Sequence, residues 1–206
     1  MMKALFLKRP FDVALSGFGI LLSSPIWLAI AAAIKLEDGG PVFYRQERVG
    51  RNGRIFRVVK FRSMITDAEK GSGAVQAVAR DPRVTKVGRV LRGTAMDELP
   101  QLLNIFKGDM SFVGPRALRP HEKEVHGDPD RRNIEDIPGY AKRHAVRPGL
   151  TGLTQVFLPG DTPRRKKFRV DLLYIKKRSF WFDLKLIFLS FWITFRGKWE
   201  SRENKI

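Results

Sequence analysis

The stretch DVALSGFGILLSSPIWLAIAAAIK, residues 12–35, decides how this chain is organised. Between Asp12 and Lys35 every position is uncharged, and since about 20 helical residues cross a hydrocarbon layer, the run is long enough to span a bilayer. Its centre argues against a straight crossing. Ser23, Ser24 and Pro25 sit there, and a proline inside a helix donates no backbone hydrogen bond and crowds the carbonyl four residues back, here that of Leu21. A break is expected at Ser24 and Pro25, with the serine hydroxyls available to the freed groups. Lys3, Lys8 and Arg9 precede the run and Lys35, Arg45 and Arg48 follow it, so basic residues do not assign the two ends to opposite sides. A re-entrant helix-break-helix over residues 1–38, leaving by the face it entered, fits both observations. The alternatives are a spanning anchor, a buried core helix and a cleaved signal peptide, the last opposed by Asp12 and by the length of the run.

The rest of the chain, residues 39–206, is short enough to form one globular domain around a single core. Lys and Arg total 39 against 21 acidic residues, a net charge of +18, so the natural partners are anionic: nucleic acid, anionic membrane lipid or phosphorylated substrates. The absence of cysteine excludes disulfides and thiolate chemistry, and His121, His126 and His144 lack the spacing of a metal-binding helix. A second apolar stretch at about 179–196 carries Trp181, Phe188, Phe191 and Trp192, with Lys185, Arg196, Lys198 and Trp199 among or beside them. It is too short to span and reads as an amphipathic interfacial helix, against the simpler reading of a core helix.

In between, Val42 to Met64 reads as a hairpin turning at Asn52-Gly53. Ala68 to Ala79 is small and polar and reads as a loop or weak helix. Leu99, Leu102, Leu103 and Phe106 recur at the spacing of one helix face, so a short helix follows Asp97-Glu98, with Pro100 in or near its first turn. Gly114-Pro115-Arg116 and Arg147-Pro148-Gly149 read as rigid turns carrying arginine. The fold class is α+β: a mostly helical domain with a small β-hairpin, a re-entrant membrane helix and interfacial amphipathic helices.

Diphosphate chemistry needs neutralisation of oxygen charge and a positioned nucleophile or base. Arg116 and Arg147 can grip phosphate bidentately, Lys60 and Arg62 add a second cluster, and Asp97 with Glu98 offers hard oxygen ligands for Mg2+. A carboxylate can also attack phosphorus and divide one transfer into two. The plain alternatives are that the two acids merely favour a helix start, and that the arginines are solvated or lipid-facing charges.

KRPFDV (8–13), PVFYRQERVGRNGRIFRVVKFRSM (41–64), DELPQLLNIFKGDMSFVGPR (97–116) and RPGLTG (147–152) occur in this order. As a set they resemble the bacterial sugar transferases, small monotopic phosphoglycosyl transferases, over Lys8 to about Leu189. The resemblance implies transfer of a sugar phosphate from a nucleotide diphosphate sugar, with uridine expected, to undecaprenyl phosphate. That step would begin exopolysaccharide, O-antigen or glycoprotein glycan assembly, on the cytoplasmic face of the bacterial inner membrane. It implies Asp97 as nucleophile, Glu98 as its dyad partner, Mg2+ near Asp97, Arg116 and Arg147 as phosphate or nucleotide contacts, Asp171 as a functional position, and a re-entrant N-terminal helix. Larger members carry further N-terminal membrane helices, and this chain resembles the minimal form. Two departures bear on specificity: Ala117 follows Pro115-Arg116 where the family has a second proline, and Phe157 to Lys167 lacks the family's Asn-Gly-Arg pattern. The competing reading, a membrane-tethered nucleic-acid-binding protein, draws on the +18 charge and the basic hairpin, but no nucleic-acid module is recognisable; the family reading takes no nucleic acid as partner.

Overall fold

The computed structural model describes residues 6–68, 81–124 and 132–196. It is an α+β fold. The first helix, α1, is Lys8–Asp38, about 46 Å long at 1.5 Å per residue. It runs through Pro25 as one helix, without the break expected at Ser24 and Pro25. The hydroxyls supply the reason: Ser24 Oγ donates to the Leu21 carbonyl at 2.8 Å and Ser23 Oγ to that of Gly19 at 2.6 Å, so the acceptor that Pro25 leaves unserved is satisfied locally.

One stripe of α1, spaced three and four residues apart (Asp12, Ser16, Gly19, Ser23, Trp27, Ile30, Ile34), lies partly or wholly covered, while Phe18, Leu21, Leu22, Leu28 and Leu36 are exposed. The helix is held at both ends. Lys8 bonds Asp183 and the Val113 carbonyl, Arg9 bonds the carbonyls of Ile105 and Phe106, and Asp12 accepts from the Phe112 amide. At the other end Glu37 accepts from the amides of Lys86 and Val87, and Asp38 pairs with Arg62.

The hairpin appears as expected: β1, Phe43–Val49, pairs antiparallel with β2, Ile55–Phe61. The chain turns through Arg51–Gly53, with Asn52 and Gly53 both at positive φ and Gly50 N–H bonded to the Arg54 carbonyl. After α2, Lys86–Gly93, comes a 3-10 turn, Met96–Glu98, then α3, Gln101–Lys107, with Pro100 as its N-cap. Asp97 and Glu98 thus precede the helix by a turn instead of starting it. The Leu102 and Phe106 face of α3 packs on Gly19 and Gly17 of α1, while Ile105 enters the core.

A second, parallel pairing was not anticipated: β3, Ser111–Val113, lies beside β4, Gly149–Thr151. The two arginine turns are therefore adjacent, with Gly149 N–H bonded to the Pro115 carbonyl at 3.0 Å and Gly114 N–H to that of Thr151 at 2.9 Å. A Cβ at Gly114, Gly149 or Gly152 would overlap the opposing backbone, which is why glycine occupies all three. Short helices α4, Tyr140–Arg143, and α5, Leu153–Phe157, lead to α6, Arg164–Lys177, and α7, Phe180–Phe195. Leu186, Ile187 and Ile193 of α7 join Phe56, Val58, Ile105, Met110 and Val156 in the main core. Its other face exposes Trp181, Phe188, Phe191, Trp192 and Phe195, so α7 is a core helix and an apolar surface at once. Ala68 is described as the end of a turn, whereas the rest of the segment read as a loop or weak helix, with His126, Lys198 and Trp199, lies outside the described residues.

Candidate active site

Asp97 and Glu98 reach their position through a backbone kink: Ala95 sits at φ 56, and the 3-10 turn that follows presents both carboxylates to β2. Lys60, in the last part of β2, meets them there. Its Nζ donates to Glu98 Oε1 at 2.5 Å and lies 3.9 Å from Asp97 Oδ2. The acid side chains are only 13% and 14% exposed, so the three groups share a partly dehydrated environment where their charges interact strongly.

The charges around Glu98 are predominantly positive. Burial alone would raise its carboxyl pKa, but Lys60, Arg116 and Arg48 outweigh burial and hold it below the ordinary value. Arg48 feels the same crowding from the other side. Burial, then the neighbouring Arg116 and Arg119, bring its guanidinium down to about 10, with Glu122 and Glu98 acting in the opposite sense. Arg48 is fixed by the Ala117 carbonyl at 3.1 Å and by Gln46. The Arg116 guanidinium is exposed and makes no hydrogen bond or ion pair with a described residue. A dyad of carboxylates therefore borders a patch of guanidinium groups with more positive charge than the local acids neutralise, the electrostatic requirement for holding a diphosphate.

Not every expected residue joins this cluster. Arg62 is engaged elsewhere, donating to both carboxylate oxygens of Asp38 and to the Pro41 carbonyl. Arg147 donates to the Gly108 carbonyl at 2.8 Å, and the charges that act on it are Arg9, Arg51 and Asp12. It lines a cleft of about 260 Å³ with Gly50, Arg54 and Asp109 at the hairpin turn, the end away from Lys60. Asp171 is 3% exposed and paired with Arg143 at 2.8 Å. A larger cleft, about 410 Å³, lies between Pro138, Lys142, Arg169 and Leu172; neither cleft is lined by the dyad. Arg48 and Arg119 were missed from the sequence, although Arg48 stands in the quoted hairpin motif.

For a metal, the hard oxygens of Asp97 and Glu98 suit magnesium, which is commonly held by one or two carboxylates with water and substrate phosphate completing the shell. Among the described residues no three acids or histidines converge to form an all-protein cage.

The bacterial sugar transferase family matches the chain over residues 3–197. The UDP-glucose:undecaprenyl-phosphate glucose-1-phosphate transferase of Escherichia coli (strain K12) is 44% identical over 197 residues, covering 93% of this chain and 41% of that protein. The exopolysaccharide production protein PSS of Rhizobium leguminosarum bv. phaseoli is 43% identical over 189 residues, covering 89% of this chain and 92% of that protein. The UDP-N-acetylgalactosamine-undecaprenyl-phosphate N-acetylgalactosaminephosphotransferase of Aeromonas hydrophila is 44% identical over 186 residues, covering 89% and 42%. The chain thus spans about two fifths of the Escherichia coli and Aeromonas hydrophila relatives and nearly all of the Rhizobium one.

Proposed function

Because the chain belongs to the bacterial sugar transferase family, we propose that it moves a sugar 1-phosphate from a uridine diphosphate sugar to undecaprenyl phosphate, the chemistry named for its relatives in Escherichia coli and Aeromonas hydrophila. Those two act on different sugars at the same level of identity, so the donor sugar is a matter for direct assay. The observation that carries the reading is the Asp97–Glu98 dyad held by Lys60 beside Arg48 and Arg116.

In the first step an Asp97 carboxylate oxygen attacks the phosphorus bonded to the sugar. The bond from that phosphorus to the bridging oxygen breaks, and uridine monophosphate leaves with the electron pair. In the second, a phosphate oxygen of undecaprenyl phosphate attacks the same phosphorus, the acyl–phosphate bond breaks, and Asp97 regains its carboxylate. No net proton is consumed. Arg116 and Arg48 stabilise charge on the phosphoryl oxygens, and Lys60 keeps Glu98 ionised beside the nucleophile. Magnesium, held by Asp97 and Glu98, would offset the repulsion between a carboxylate and a diphosphate.

The same reading sets the protein at the cytoplasmic face of the bacterial inner membrane, entering it from one side. Support comes from α1, whose two ends are both tied to the folded body while its outer face is apolar. Tethering both ends of α1 to the same folded body favours entry and exit on one side of a layer ~30 Å thick. Nothing favours the nucleic-acid alternative. The test of the chemistry is Asp97→Asn in bilayer discs with magnesium, a panel of uridine diphosphate sugars and undecaprenyl phosphate. We expect a folded protein that releases no uridine monophosphate and acquires no covalent phosphosugar; a turning-over Asp97→Asn enzyme removes Asp97 as nucleophile.

A further inference from the structure

We infer that Arg143 is a positioning residue that holds the Arg116 turn against the dyad, and that Asp171 acts through Arg143 and not on the substrate. The inference rests on the function proposed above. Arg143 and Asp171 are 2% and 3% exposed, out of reach of a substrate. Arg143 Nε donates to Asp171 Oδ2 at 2.8 Å, and the other carboxylate oxygen accepts from Thr154 Oγ1 at 3.1 Å. From the same guanidinium, Nη2 donates to the Arg116 carbonyl at 2.7 Å. The plane stands 4.9 Å over the Phe168 ring and Nη1 lies 3.3 Å from His144 Nε2.

A guanidinium is flat and its donors diverge at fixed angles, so two bonds made from different nitrogens fix the distance between their acceptors. Here those acceptors are a carboxylate on α6 and the backbone of Arg116. The Arg116 side chain has no hydrogen bond with a described residue, so the position of its backbone sets the region its guanidinium can reach. That backbone is clamped from two sides: Gly149 N–H bonds the Pro115 carbonyl, and Arg143 bonds the Arg116 carbonyl. A buried ion pair contributes little net stability against well-packed apolar residues, whereas a rigid fork between α6 and a phosphate-binding turn has a clear mechanical use.

The test is a double-mutant cycle in Arg143→Lys and Arg116→Gln, with donor concentration varied. Lysine retains the charge opposite Asp171 but cannot hold both acceptors. Arg143→Lys should lower kcat/KM on the order of 10- to 100-fold, as expected for a displaced charged phosphate contact, with KM for the donor raised. The double variant should be no worse than Arg116→Gln alone. A purely structural role would reduce the folded fraction, lowering kcat at unchanged KM, and the losses would multiply; either result overturns the inference. Calorimetric binding of uridine diphosphate reads the same cycle without turnover, with both single variants weakened alike. If no donor releases uridine monophosphate from the unaltered enzyme, the proposed function fails by itself, while the binding cycle still decides the role of Arg143.

Discussion

Lys60 is the side chain on which the dyad's charge balance turns. Its ammonium is the largest single attraction holding the Glu98 carboxyl below its ordinary value against burial. Lys60→Met should leave Glu98 partly buried without its direct partner, costing about 3 kcal/mol of stability and on the order of 100-fold in uridine monophosphate release. Chemical denaturation and initial rates read the two effects separately. His144 supplies a pH dependence. Burial, then the Arg143 charge, bring its imidazole down to about 4 from 6.5, so the unfolded chain binds the proton more readily than the folded one. Stability is then greatest above pH 6.5 and declines as the pH falls towards 4. Urea midpoints at pH 7 and pH 5 should differ in that sense, and His144→Asn should lose that part of the slope. Residue type and spacing offered Asp97 and Glu98 as hard oxygen ligands or as helix-start acids, and only the family resemblance singled them out as a dyad; the companions Arg48 and Arg119 were not legible. A two-residue turn at Asn52-Gly53 would set Arg48 opposite Arg57 and put it on the face away from Lys60. The actual loop spans Arg51–Gly53 and sets Arg48 opposite Phe56, and that one-residue slip brings both cations to the same face.

At the scale of elements, the hairpin, α7 and the apolar run of α1 follow from periodicity and turn residues, whereas β3 and β4 do not. Strands of three residues carry no readable alternation, and Pro115 and Pro148 beside them signal turns. Their close approach requires glycine at 114, 149 and 152. Gly114→Ala should therefore cost more than ~3 kcal/mol or prevent folding, because the new methyl meets the Arg147 carbonyl, a backbone atom that cannot rotate aside; a folded variant of unchanged thermal stability would contradict the close approach. Lys8 and Arg9 were read as charges flanking the apolar run, Asp12 as an argument against cleavage and KRPFDV as a family motif, yet all three charged residues turn inward as the clamp on the start of α1. The one-sided entry proposed above rests on this clamp and its counterpart at Asp38. Single cysteines at Phe6 and Leu36, both exposed, should react with an impermeant maleimide from the cytoplasmic side in this otherwise cysteine-free chain; labelling from opposite sides would require a spanning helix.

For the molecule as a whole, the boundary at residue 38 divides the sequence more sharply than the fold. Ile30 and Ile34 share a core with Phe61 and Leu91, and Phe11 and Leu15 pack on the main one, so α1 is part of the domain it anchors. The rings of Phe11 on α1 and Phe180 on α7 lie 5.2 Å apart edge to face, and both helices expose large apolar side chains. These exposed apolar side chains suit the membrane-facing surface proposed above. On the proposed membrane placement the +18 charge would add attraction to anionic lipid, which salt should weaken, while the apolar term should persist. Phe191 and Phe195 are exposed and stand outside the core clusters. Replacing both with Ser should spare the fold yet lower partition into neutral phosphatidylcholine vesicles by at least ~100-fold, since each ring contributes about 1.5–3 kcal/mol when removed from water. Vesicle flotation at high salt isolates that term, and an unchanged bound fraction would mean that α7 lies away from the bilayer.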